Sequence, residues 1–373
     1  MNSPKKIVVD CRELQGEMTG IGRFLHNFLL SLDRVDRQNH YVLIFNKQTN
    51  LEIPGNRVTQ HILPESATFA WDQVILPRYL KDCRADLFFS PYYKLPLLSP
   101  CPCVITIHDV HFFELPVYRQ ENGFWLNTYY RLAGRLFCRK AKWILTVSER
   151  SKKDIVSVYG VQPEKIRVVY NGVDTDRFRV LDRAEVQARI AEAFPQIRGS
   201  FVLYVGNAKP HKNIPFLIRG YASLPDHIRK STQLVLAGVG DRIGSPPDGI
   251  PEDQLVILPS VGEHHLPFLY NAATLFVTAS LYEGFCLPLA EAMACGTPVV
   301  ASNRGAIPEV ASESGSLFDP DRADDLVAKM VSVLESPETR RSMSHKGLAA
   351  IRRFSRDAFA EKVLHTLMKA AQT

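Results

Sequence analysis

The decapeptide Tyr282-Glu283-Gly284-Phe285-Cys286-Leu287-Pro288-Leu289-Ala290-Glu291 links an apolar run to a helix-forming run. The run before it, 275–280, has the composition of a buried parallel strand. The run that closes it, 290–294, favours a helix. Gly284 allows a tight turn between the two, and Pro288 is tolerated in the first turn of a helix. The decapeptide therefore predicts a strand–turn–helix unit of a parallel α/β sheet.

The start of that predicted helix is a candidate anion site. Its first-turn amides point at one spot, and the helix dipole favours negative charge there. Glu283 lies just before the site, and Glu291 lies about two turns into the helix. Two carboxylates would repel a bare phosphate, so we expect them to bind neutral hydroxyls beside it. A sugar diphosphate attached to a ribose has this pattern of charge and hydroxyls.

Length and composition predict a two-domain globular protein. The chain has 373 residues, 46% hydrophobic and 23% charged, and this length exceeds one ordinary domain. Seven cysteines without a framework spacing favour a reducing compartment. The start, Met1-Asn2-Ser3-Pro4, leads into a strand and not a signal peptide, and no apolar run reaches the length of a membrane span. We therefore expect a cytoplasmic protein.

The positive charge is concentrated in the first half of the chain. Residues 1–180 hold 25 Lys and Arg against 18 Asp and Glu, a net charge of +7. The remainder holds 20 against 21, a net charge of −1, in agreement with +6 for the whole chain. This asymmetry predicts an anionic partner for the first half: a membrane surface, a phospholipid-linked substrate or nucleic acid. Nucleic acid is not favoured, because no recognised binding module is present.

Two motifs of the first half follow predicted strands. Strand 7–10 leads into Gly20-Ile21-Gly22, the layout of a phosphate-binding turn. Because a third glycine and a Walker lysine are missing, a flexible turn is an equal alternative. Strand 104–107 leads to His108 and Asp109, and the carboxyl end of a parallel strand faces the ligand crevice. A structural histidine is the alternative to a functional one.

A predicted helix over 121–142 carries arginines at four-residue spacing, and its other side is apolar. The arginines are Arg131, Arg135 and Arg139, and the apolar positions are Trp125, Tyr129, Leu132 and Leu136. One interpretation is a solvated basic face over a stripe that packs in the core. The other is a patch that meets anionic headgroups or a lipid pyrophosphate acceptor.

The second half repeats the alternation of strands and helices. Strand 201–206 leads into Asn207, Lys209 and Lys212 and then into a helix, and lysines before a helix start suit a phosphate. Further strands are predicted at 234–237, 255–258, 275–278 and 298–301.

Two α/β sheets in tandem predict two domains with a ligand cleft. The charged segment 179–199 indicates the boundary, so the domains are predicted over 1–180 and 181–354. The amphipathic run 355–373 predicts one final helix, with Ser355 as its N-cap.

Metal sites are not predicted. Cys101, Cys103, His108 and His111 resemble zinc ligands only superficially, because no second cysteine pair completes a common spacing. Two Asp-x-Asp strings, 174–176 and 319–321, follow turn residues and are explained more simply as helix caps.

The chain resembles the retaining glycosyltransferases of family four, which have the GT-B fold, over essentially its whole length. The resemblance rests on the following motifs in this order: Gly20-Ile21-Gly22, Ile107-His108-Asp109, Thr146-Val147-Ser148-Glu149, Asn171-Gly172-Val173-Asp174, Tyr204-Val205-Gly206 with Lys212, Glu283-Gly284-Phe285 with Glu291, and Gly305-Ala306-Ile307-Pro308-Glu309. Within the family it looks most like bacterial mannosyl or related hexosyl transferases of surface polysaccharides. The resemblance implies two Rossmann-like domains facing across a cleft and a last helix that crosses back to the first domain.

The resemblance also implies roles for the donor site. Glu291 would bind the ribose hydroxyls, and Glu283 the donor sugar together with the amides of Gly284, Phe285, Cys286 and Leu287. Lys212 would hold the diphosphate, with amides of Gly20 and Gly22 nearby. His108 would contact the sugar near the reaction centre, so His108, Glu283 and Lys212 are the catalytic candidates. The acceptor candidates are Asp109, Ser148, Arg131 and Arg135.

Three positions depart from the family pattern. Asn207 replaces a basic residue, and His211 replaces an arginine, so Lys209 becomes the candidate for the second diphosphate cation. Asn207 stays a candidate for donor binding. Cys286 stands where many members have glycine.

The reaction implied is transfer of a hexose, by preference mannose from GDP-mannose, to a glycan or lipid-linked hydroxyl, with retention and without metal or cofactor. A UDP-sugar transferase is the first alternative. An epimerase or phosphorylase on the same scaffold and a non-catalytic sugar-nucleotide-binding component are more distant. Contact of the basic first domain with the inner membrane surface is possible, and the sequence carries no signal for an oligomeric state.

Overall fold

The computed structural model describes residues 3–15, 19–49, 53, 56–65, 67–240 and 250–372. The chain divides into two compact units, Met1–Gly172 with Phe354–Thr373, and Val173–Arg353. The first boundary therefore lies eight residues before the predicted one, and Phe354 joins the first unit and not the second.

Side-chain contacts explain both differences. Residues after Gly172 pack on the second unit: Arg177 Nη1 lies 3.0 Å from Glu263 Oε2, and the ring of Phe178 lies 5.9 Å from that of Tyr270. Phe354 instead packs its ring on Tyr170 of the first unit, at 5.5 Å between ring centroids. The charged segment that suggested a boundary is a helix of the second unit.

The described part of the first unit contains a seven-stranded parallel sheet in the order β3-β2-β1-β4-β5-β6-β7. The strands are β1 Lys6–Asp10, β2 His40–Phe45, β3 Val58–Ile62, β4 Leu87–Ser90, β5 Cys103–Thr106, β6 Trp143–Thr146 and β7 Ile166–Val168. The helices are α1 Gly20–Leu30, α2 Leu32–Val35, α3 Thr68–Ala70, α4 Leu76–Asp82, α5 His111–Glu114, α6 Pro116–Lys140 and α7 Glu149–Tyr159. A π-helical turn, Trp71–Ile75, joins α3 to α4. The central strands β1, β4 and β5 are almost entirely buried, as expected of a parallel sheet with helices on both faces.

Helix α6 differs from the prediction in a way that matters below. Gly123 has φ 66° and ψ 171°, so the helix is interrupted there and resumes at Phe124. Its side chains Trp125 and Leu132 are exposed, although the first interpretation placed their stripe in the core. Among the described helices, none combines the length and apolar character that crossing a bilayer requires.

The described part of the second unit contains a six-stranded parallel sheet in the order β10-β9-β8-β11-β12-β13. The strands are β8 Ser200–Val205, β9 Thr232–Ala237, β10 Leu255–Leu258, β11 Leu275–Thr278, β12 Val299–Ser302 and β13 Ser316–Phe318. The helices are α8 Arg183–Ala193, α9 Ile214–Ala222, α10 Asp226–Arg229, α11 Leu266–Ala272, α12 Leu287–Ala294, α13 Ile307–Ala311, α14 Ala323–Glu335 and α15 Pro337–Ile351. The predicted strands are confirmed to within two residues, and β13 was not predicted.

The strand order of this sheet places its ligand crevice. The chain runs outward from β8 through β9 to β10, and then returns to β11 on the other side of β8. The order therefore reverses between β8 and β11, and open α/β sheets bind ligands beyond the carboxyl ends of the strands at such a point. The segments that follow β8 and β11 contain Lys212 and Glu283.

The last helix, α16 Arg356–Ala371, belongs to the first unit. Ser355 caps it, because its side chain accepts a hydrogen bond from the Ala358 amide at 3.3 Å. Phe359 packs its ring on Phe24 of α1, at 4.9 Å between centroids. The predicted helix, its N-cap and its return to the first domain are as the sequence and the resemblance indicated.

Candidate active site

Lys212 and Glu283 form an ion pair at the point where the second sheet reverses its strand order. Lys212 Nζ lies 2.6 Å from Glu283 Oε1, and the two side chains are only 17% and 12% exposed. Ser280 Oγ donates a second hydrogen bond to the same oxygen, at 2.7 Å. Lys212 thus offers a cation to an anionic group of a ligand. The second carboxylate oxygen of Glu283, Oε2, can accept a hydrogen bond from a ligand hydroxyl.

The backbone around Lys212 is tied to the segment that carries Glu283. Lys212 ends a single 3₁₀ turn, Pro210–Lys212, and Asn213 follows it in the left-handed conformation with φ 54°. The carbonyl of His211 accepts the amide of Leu281 at 2.7 Å. Because this bond links the loops after β8 and β11, the spacing of the two charged groups is set by backbone as well as by side chains.

Gly305 supports Glu283 from the next loop. It has φ 60°, and a Cβ placed on it would lie 2.6 Å from the Glu283 amide nitrogen and 2.7 Å from its carbonyl oxygen. The Ala306 amide donates to that carbonyl at 2.9 Å. Gly305 was part of the family motif, but the sequence alone predicted no role for it.

Replacing Gly305 with alanine is expected to displace Glu283 and lower kcat/KM by about tenfold or more, because small misplacements of a positioned group are costly. The free energy of unfolding should also fall, by about 1–3 kcal/mol. Enzyme kinetics and urea unfolding would measure the two effects. Gly199→Ala is the matched control, because Gly199 has φ 70° and a Cβ placed on it would have no described atom within 4 Å. Equal loss of activity in both variants would contradict this role of Gly305.

Glu291 is held inside helix α12. It is 3% exposed, and Tyr270 Oη donates to its Oε2 at 2.9 Å. Thr297 in turn donates its hydroxyl to the Tyr270 carbonyl at 2.7 Å. Tyr270 is a residue that the sequence did not predict for the site, since it lies on α11 and no local motif surrounds it.

The turn before α12 has a positive φ at Cys286, with φ 74° and ψ 70°, which the sequence did not predict. Cys286 is the N-cap of the helix, and among the described residues no side chain caps this helix end. Gly284, Phe285 and Leu287 are buried beside it. Burial raises the pKa of the Cys286 thiol, so the thiol is neutral. A non-glycine residue in this conformation is strained, so glycine would suit this position better than cysteine.

Asn207 and Lys209 lie on the exposed loop after β8. Tyr204 Oη donates to the Asn207 carbonyl at 3.0 Å, and Asn207 Oδ1 accepts the Lys209 amide at 3.3 Å. Burial and the negative charge of Glu283 raise the pKa of Tyr204, so its hydroxyl remains a donor. Lys209 begins the turn that carries Lys212, and its role as second cation stays a prediction.

In the first unit, His108 lies just beyond β5. Its Nε2 lies 3.0 Å from the Pro91 carbonyl, and a carbonyl only accepts, so Nε2 carries the proton and Nδ1 is the acceptor. Phe24 packs edge-on against the ring at 5.0 Å. Burial lowers the pKa of His108, which keeps the imidazole neutral near pH 7.

Asp109 and Ser148, predicted to bind the acceptor, make hydrogen bonds to residues two or three positions further along the chain. Asp109 Oδ1 lies 2.5 Å from His111 Nδ1 and also accepts the His111 amide at 3.2 Å. Ser148 is fully buried and caps α7: its Oγ accepts the Ser151 amide and donates to Ser151 Oγ, both at 3.0 Å. The Ser148 hydroxyl is therefore engaged in the cap of α7, and its contact with an acceptor stays a prediction.

The pKa of Asp109 is lowered from 3.8 to about 2; burial alone would raise it, but the hydrogen bond and charge of His111 outweigh burial. The folded state thus favours ionised Asp109, which contributes about 2 kcal/mol of stability. This contribution is present above pH 3.8 and is lost as the pH falls towards 2.

Asp109→Asn should therefore lower the free energy of unfolding at neutral pH and weaken its fall in acid. Urea unfolding over a pH series would show this. Asp82→Asn, at a carboxylate that is 70% exposed, is the control that should change little. A native acid profile in Asp109→Asn would contradict the assignment.

The other predicted positions of the first unit lie elsewhere. Gly20 and Gly22 form the first turn of α1 and not a loop, and Thr19 Oγ1 accepts the Gly22 amide at 3.2 Å, so this amide serves the helix cap. Residues 16–18 lie outside the described part. Arg131 and Arg135 are exposed on α6, with Arg131 Cζ 5.6 Å from the ring of Phe113.

The Asp-x-Asp string at 319–321 pairs with an arginine. Arg304 Nη2 lies 2.9 Å from Asp319 Oδ1 and 2.6 Å from Asp321 Oδ2. These carboxylates therefore stabilise the turn before α14, while the start of α14 itself lacks a side-chain cap among the described residues.

Comparison with known proteins adds family evidence to this geometry. A family model described as Glycosyltransferase Family 4 matches residues 18–177, and one described as Glycosyl transferases group 1 matches residues 197–349. The O-antigen chain mannosyltransferase B of Escherichia coli is 30% identical over 282 residues, which cover 74% of this chain and 72% of that protein.

Solved structures show the same fold at lower identity. Sucrose-phosphate synthase from Thermosynechococcus elongatus has a TM-score of 0.80 at 18% identity, with 98% of each chain covered. The Anabaena protein HepE in complex with UDP-glucose has a TM-score of 0.75 at 19% identity, covering 98% of this chain and 100% of that chain. With two parallel α/β units and these matches, the chain belongs to the family-four glycosyltransferases, which have the GT-B fold.

Proposed function

We propose that this glycosyltransferase moves a hexose from a nucleoside diphosphate sugar to a hydroxyl of a glycan or lipid-linked acceptor. The observation that carries the proposal is the pair of Lys212 Nζ and Glu283 Oε1, 2.6 Å apart at the strand-order reversal. It provides one cation for the diphosphate and one carboxylate for sugar hydroxyls. Mannose is the preferred sugar because the relative named above is an O-antigen mannosyltransferase, and GDP-mannose is the preferred donor.

Lys212 would act on the leaving group. As the glycosidic bond lengthens, negative charge grows on the departing diphosphate, so a fixed ammonium stabilises the transition state more than the ground state. The start of α12, with no side-chain cap among the described residues, would add amide donors to the same charge.

Glu283 would orient the sugar. Its Oε1 accepts both Lys212 and Ser280, which fixes the carboxylate and leaves Oε2 to accept a sugar hydroxyl. Because its Oε1 is paired with a lysine, Glu283 would act as a binding carboxylate and not as a nucleophile of the glycosidase kind. We propose retention through same-face attack of the acceptor, with the leaving phosphate as its base.

His108 would contribute a hydrogen-bond acceptor beyond the carboxyl end of β5 in the first sheet. With Nε2 bonded to the Pro91 carbonyl, neutral His108 presents Nδ1 to a substrate hydroxyl. This role orients a hydroxyl and does not require transfer of a proton. A charged nucleotide sugar does not cross a bilayer unaided, so the proposed reaction would run in the compartment that holds the donor, which we propose is the cytoplasm.

Thermal unfolding with GDP, UDP, ADP and their sugars would test the donor, because a ligand specific for the folded state raises stability as its concentration exceeds Kd. Stabilisation by GDP and GDP-mannose supports the proposal, whereas preference for UDP identifies the alternative donor, for which the fold shared with HepE in complex with UDP-glucose is the supporting observation. No shift with any nucleotide would contradict the donor site.

Measurements of turnover would test the acceptor, the independence of metal and the retention of configuration. Acceptor oligosaccharides and lipid-linked sugars would be assayed with and without a chelator, and the anomeric configuration of the product read by NMR. We expect an unchanged rate with chelator and a retained configuration. Donor binding without any turnover would favour the non-catalytic alternative.

A further inference from the structure

Helix α6 presents an apolar stripe to the outside of the first unit. Among the described residues eleven large apolar side chains are exposed, and six of them lie between Phe124 and Leu136. Trp125 is 84% exposed, Tyr129 62% and Leu132 63%. We call the residues Phe124, Trp125, Tyr129, Leu132 and Leu136 the outer stripe. Within the outer stripe, Trp125, Tyr129, Leu132 and Leu136 follow one another at spacings of four, three and four residues. These spacings place the four side chains on one side of the helix.

The opposite side of the same helix is already packed. Gly134 and Cys138 are buried, and a Cβ on Gly134 would collide with the ring of Tyr159 of α7. Phe137 packs its ring on Tyr93, at 6.2 Å between centroids. The helix is thus fixed to the first unit by its inner side, and the outer stripe is not needed for that packing.

The charges beside the outer stripe have one sign. Residues 124–142 contain five basic side chains and no acidic one. The five are Arg131, Arg135, Arg139, Lys140 and Lys142. Arg135, Arg139 and Lys140 are exposed on the same helix. A patch larger than scattered surface residues, flanked by charge of one sign, marks an interaction site.

We propose that the outer stripe lies in the interface of an anionic lipid bilayer. Aromatic rings favour the headgroup level, leucines favour the acyl boundary, and flanking arginines reach lipid phosphates. Anionic lipid attracts each basic side chain near its surface. The proposal concerns a docking surface and stands whether or not the proposed donor is correct.

A second copy of the chain fits the stripe less well. In a two-fold dimer each stripe would face its own duplicate, so two sets of five positive charges would meet without an acidic partner from residues 124–142. Lipid phosphates would neutralise the same charges. Charge complementarity therefore selects the bilayer over the dimer.

Sedimentation with vesicles would test the proposal on the full chain. The probes are vesicles of phosphatidylcholine alone and of phosphatidylcholine mixed with phosphatidylglycerol. We expect binding to the mixed vesicles and a blue shift of tryptophan fluorescence. Of the three tryptophans, Trp71 is fully buried and Trp143 lies under Arg167 at 4.1 Å, so the shift reports Trp125.

Two double variants separate the contributions of apolar and of charged side chains to vesicle binding. Trp125→Ser/Leu132→Ser should weaken partition by on the order of tenfold or more, because two exposed apolar side chains are lost from the interface. Arg135→Gln/Arg139→Gln should weaken binding to mixed vesicles by about tenfold and reduce its salt dependence, since Arg131, Lys140 and Lys142 remain.

Ile62→Ser/Val180→Ser is the matched control, since these side chains are 50% and 59% exposed but lie outside α6. It should bind like the native chain, and unchanged thermal unfolding of all variants would confirm intact folds. Absence of native binding, or equal loss in the control, would overturn the proposal. So would a dimer in light scattering that dissociates on Trp125→Ser/Leu132→Ser.

Discussion

Lys212→Met is expected to lower transferase kcat/KM by on the order of 10²- to 10³-fold, the usual effect of removing one group that stabilises transition-state charge. Methionine keeps the length and apolar stem of lysine and removes only the ammonium. In the native structure that ammonium lies 2.6 Å from Glu283 Oε1. Steady-state kinetics with donor and acceptor would measure the effect, which should appear in kcat as well as in KM.

The same substitution should also destabilise the fold, because Glu283 is only 12% exposed and would lose its cation. Breaking a largely buried pair from one side costs about 3 kcal/mol. The double variant Lys212→Met/Glu283→Gln removes the unpaired charge, so its free energy of unfolding should recover while its activity stays low. If the double variant regained activity, neither charge would be needed for the reaction, and the proposed contact of Lys212 with the diphosphate would be wrong.

Lys209→Met is the matched comparison. Lys209 is exposed at the start of the same turn, and Lys212 is largely buried at its end. A second diphosphate cation at this position predicts a loss of about tenfold without a change in stability. A native rate in this variant would leave Lys212 as the single lysine of the turn with a role in the reaction.

Glu291→Gln is expected to weaken binding of the nucleoside diphosphate by on the order of 10²-fold, because hydrogen bonds to a charged group contribute about 1.5–3 kcal/mol each. The carboxylate already accepts the Tyr270 hydroxyl at 2.9 Å, which orients it inside α12. Glutamine preserves the shape, so most of the effect should fall on the ligand and not on the fold. Calorimetric titration with GDP and with 2′-deoxy-GDP would measure it.

Binding of 2′-deoxy-GDP tests whether Glu291 contacts the ribose hydroxyls. The native chain should bind it more weakly than GDP, and Glu291→Gln should bind both alike. Tyr270→Phe is the control: it removes the orienting hydroxyl but keeps the carboxylate, so it should lose affinity by only about tenfold and still discriminate. If Glu291→Gln kept full discrimination, Glu291 would be a structural carboxylate of α11 and α12.

Part of the candidate site could be predicted from the sequence. It predicted Lys212 and Glu283 for one ligand, each from its own strand and helix, but not their direct ion pair, since 71 positions separate them. It also missed Ser280, Tyr270 and the contact of Gly305 with Glu283. A polar residue directly after β11 was a usable signal for Ser280. For Tyr270 and Gly305 no local pattern exists, because their partners come from other loops.

Two interpretations were wrong for related reasons. Gly20 and Gly22 were expected in a loop and begin a helix capped by Thr19. One of the two interpretations of the Trp125–Leu136 stripe placed it in the core, but α6 has a second apolar side, through Gly134 and Cys138, and that side is the one that packs. The positive φ at Cys286 was not predicted, because local rules give preferences that a packed turn can override.

The sequence by itself determined the parallel α/β class, most strand positions, the last helix and the family. These depend on residue periodicity and on glycine, proline and capping residues, which act over a few neighbouring positions. Only the tertiary structure decided which side of α6 is covered, where the chain passes between its units, and which groups touch Glu283. Those properties arise from contacts between distant segments, so packing and not local preference selects them.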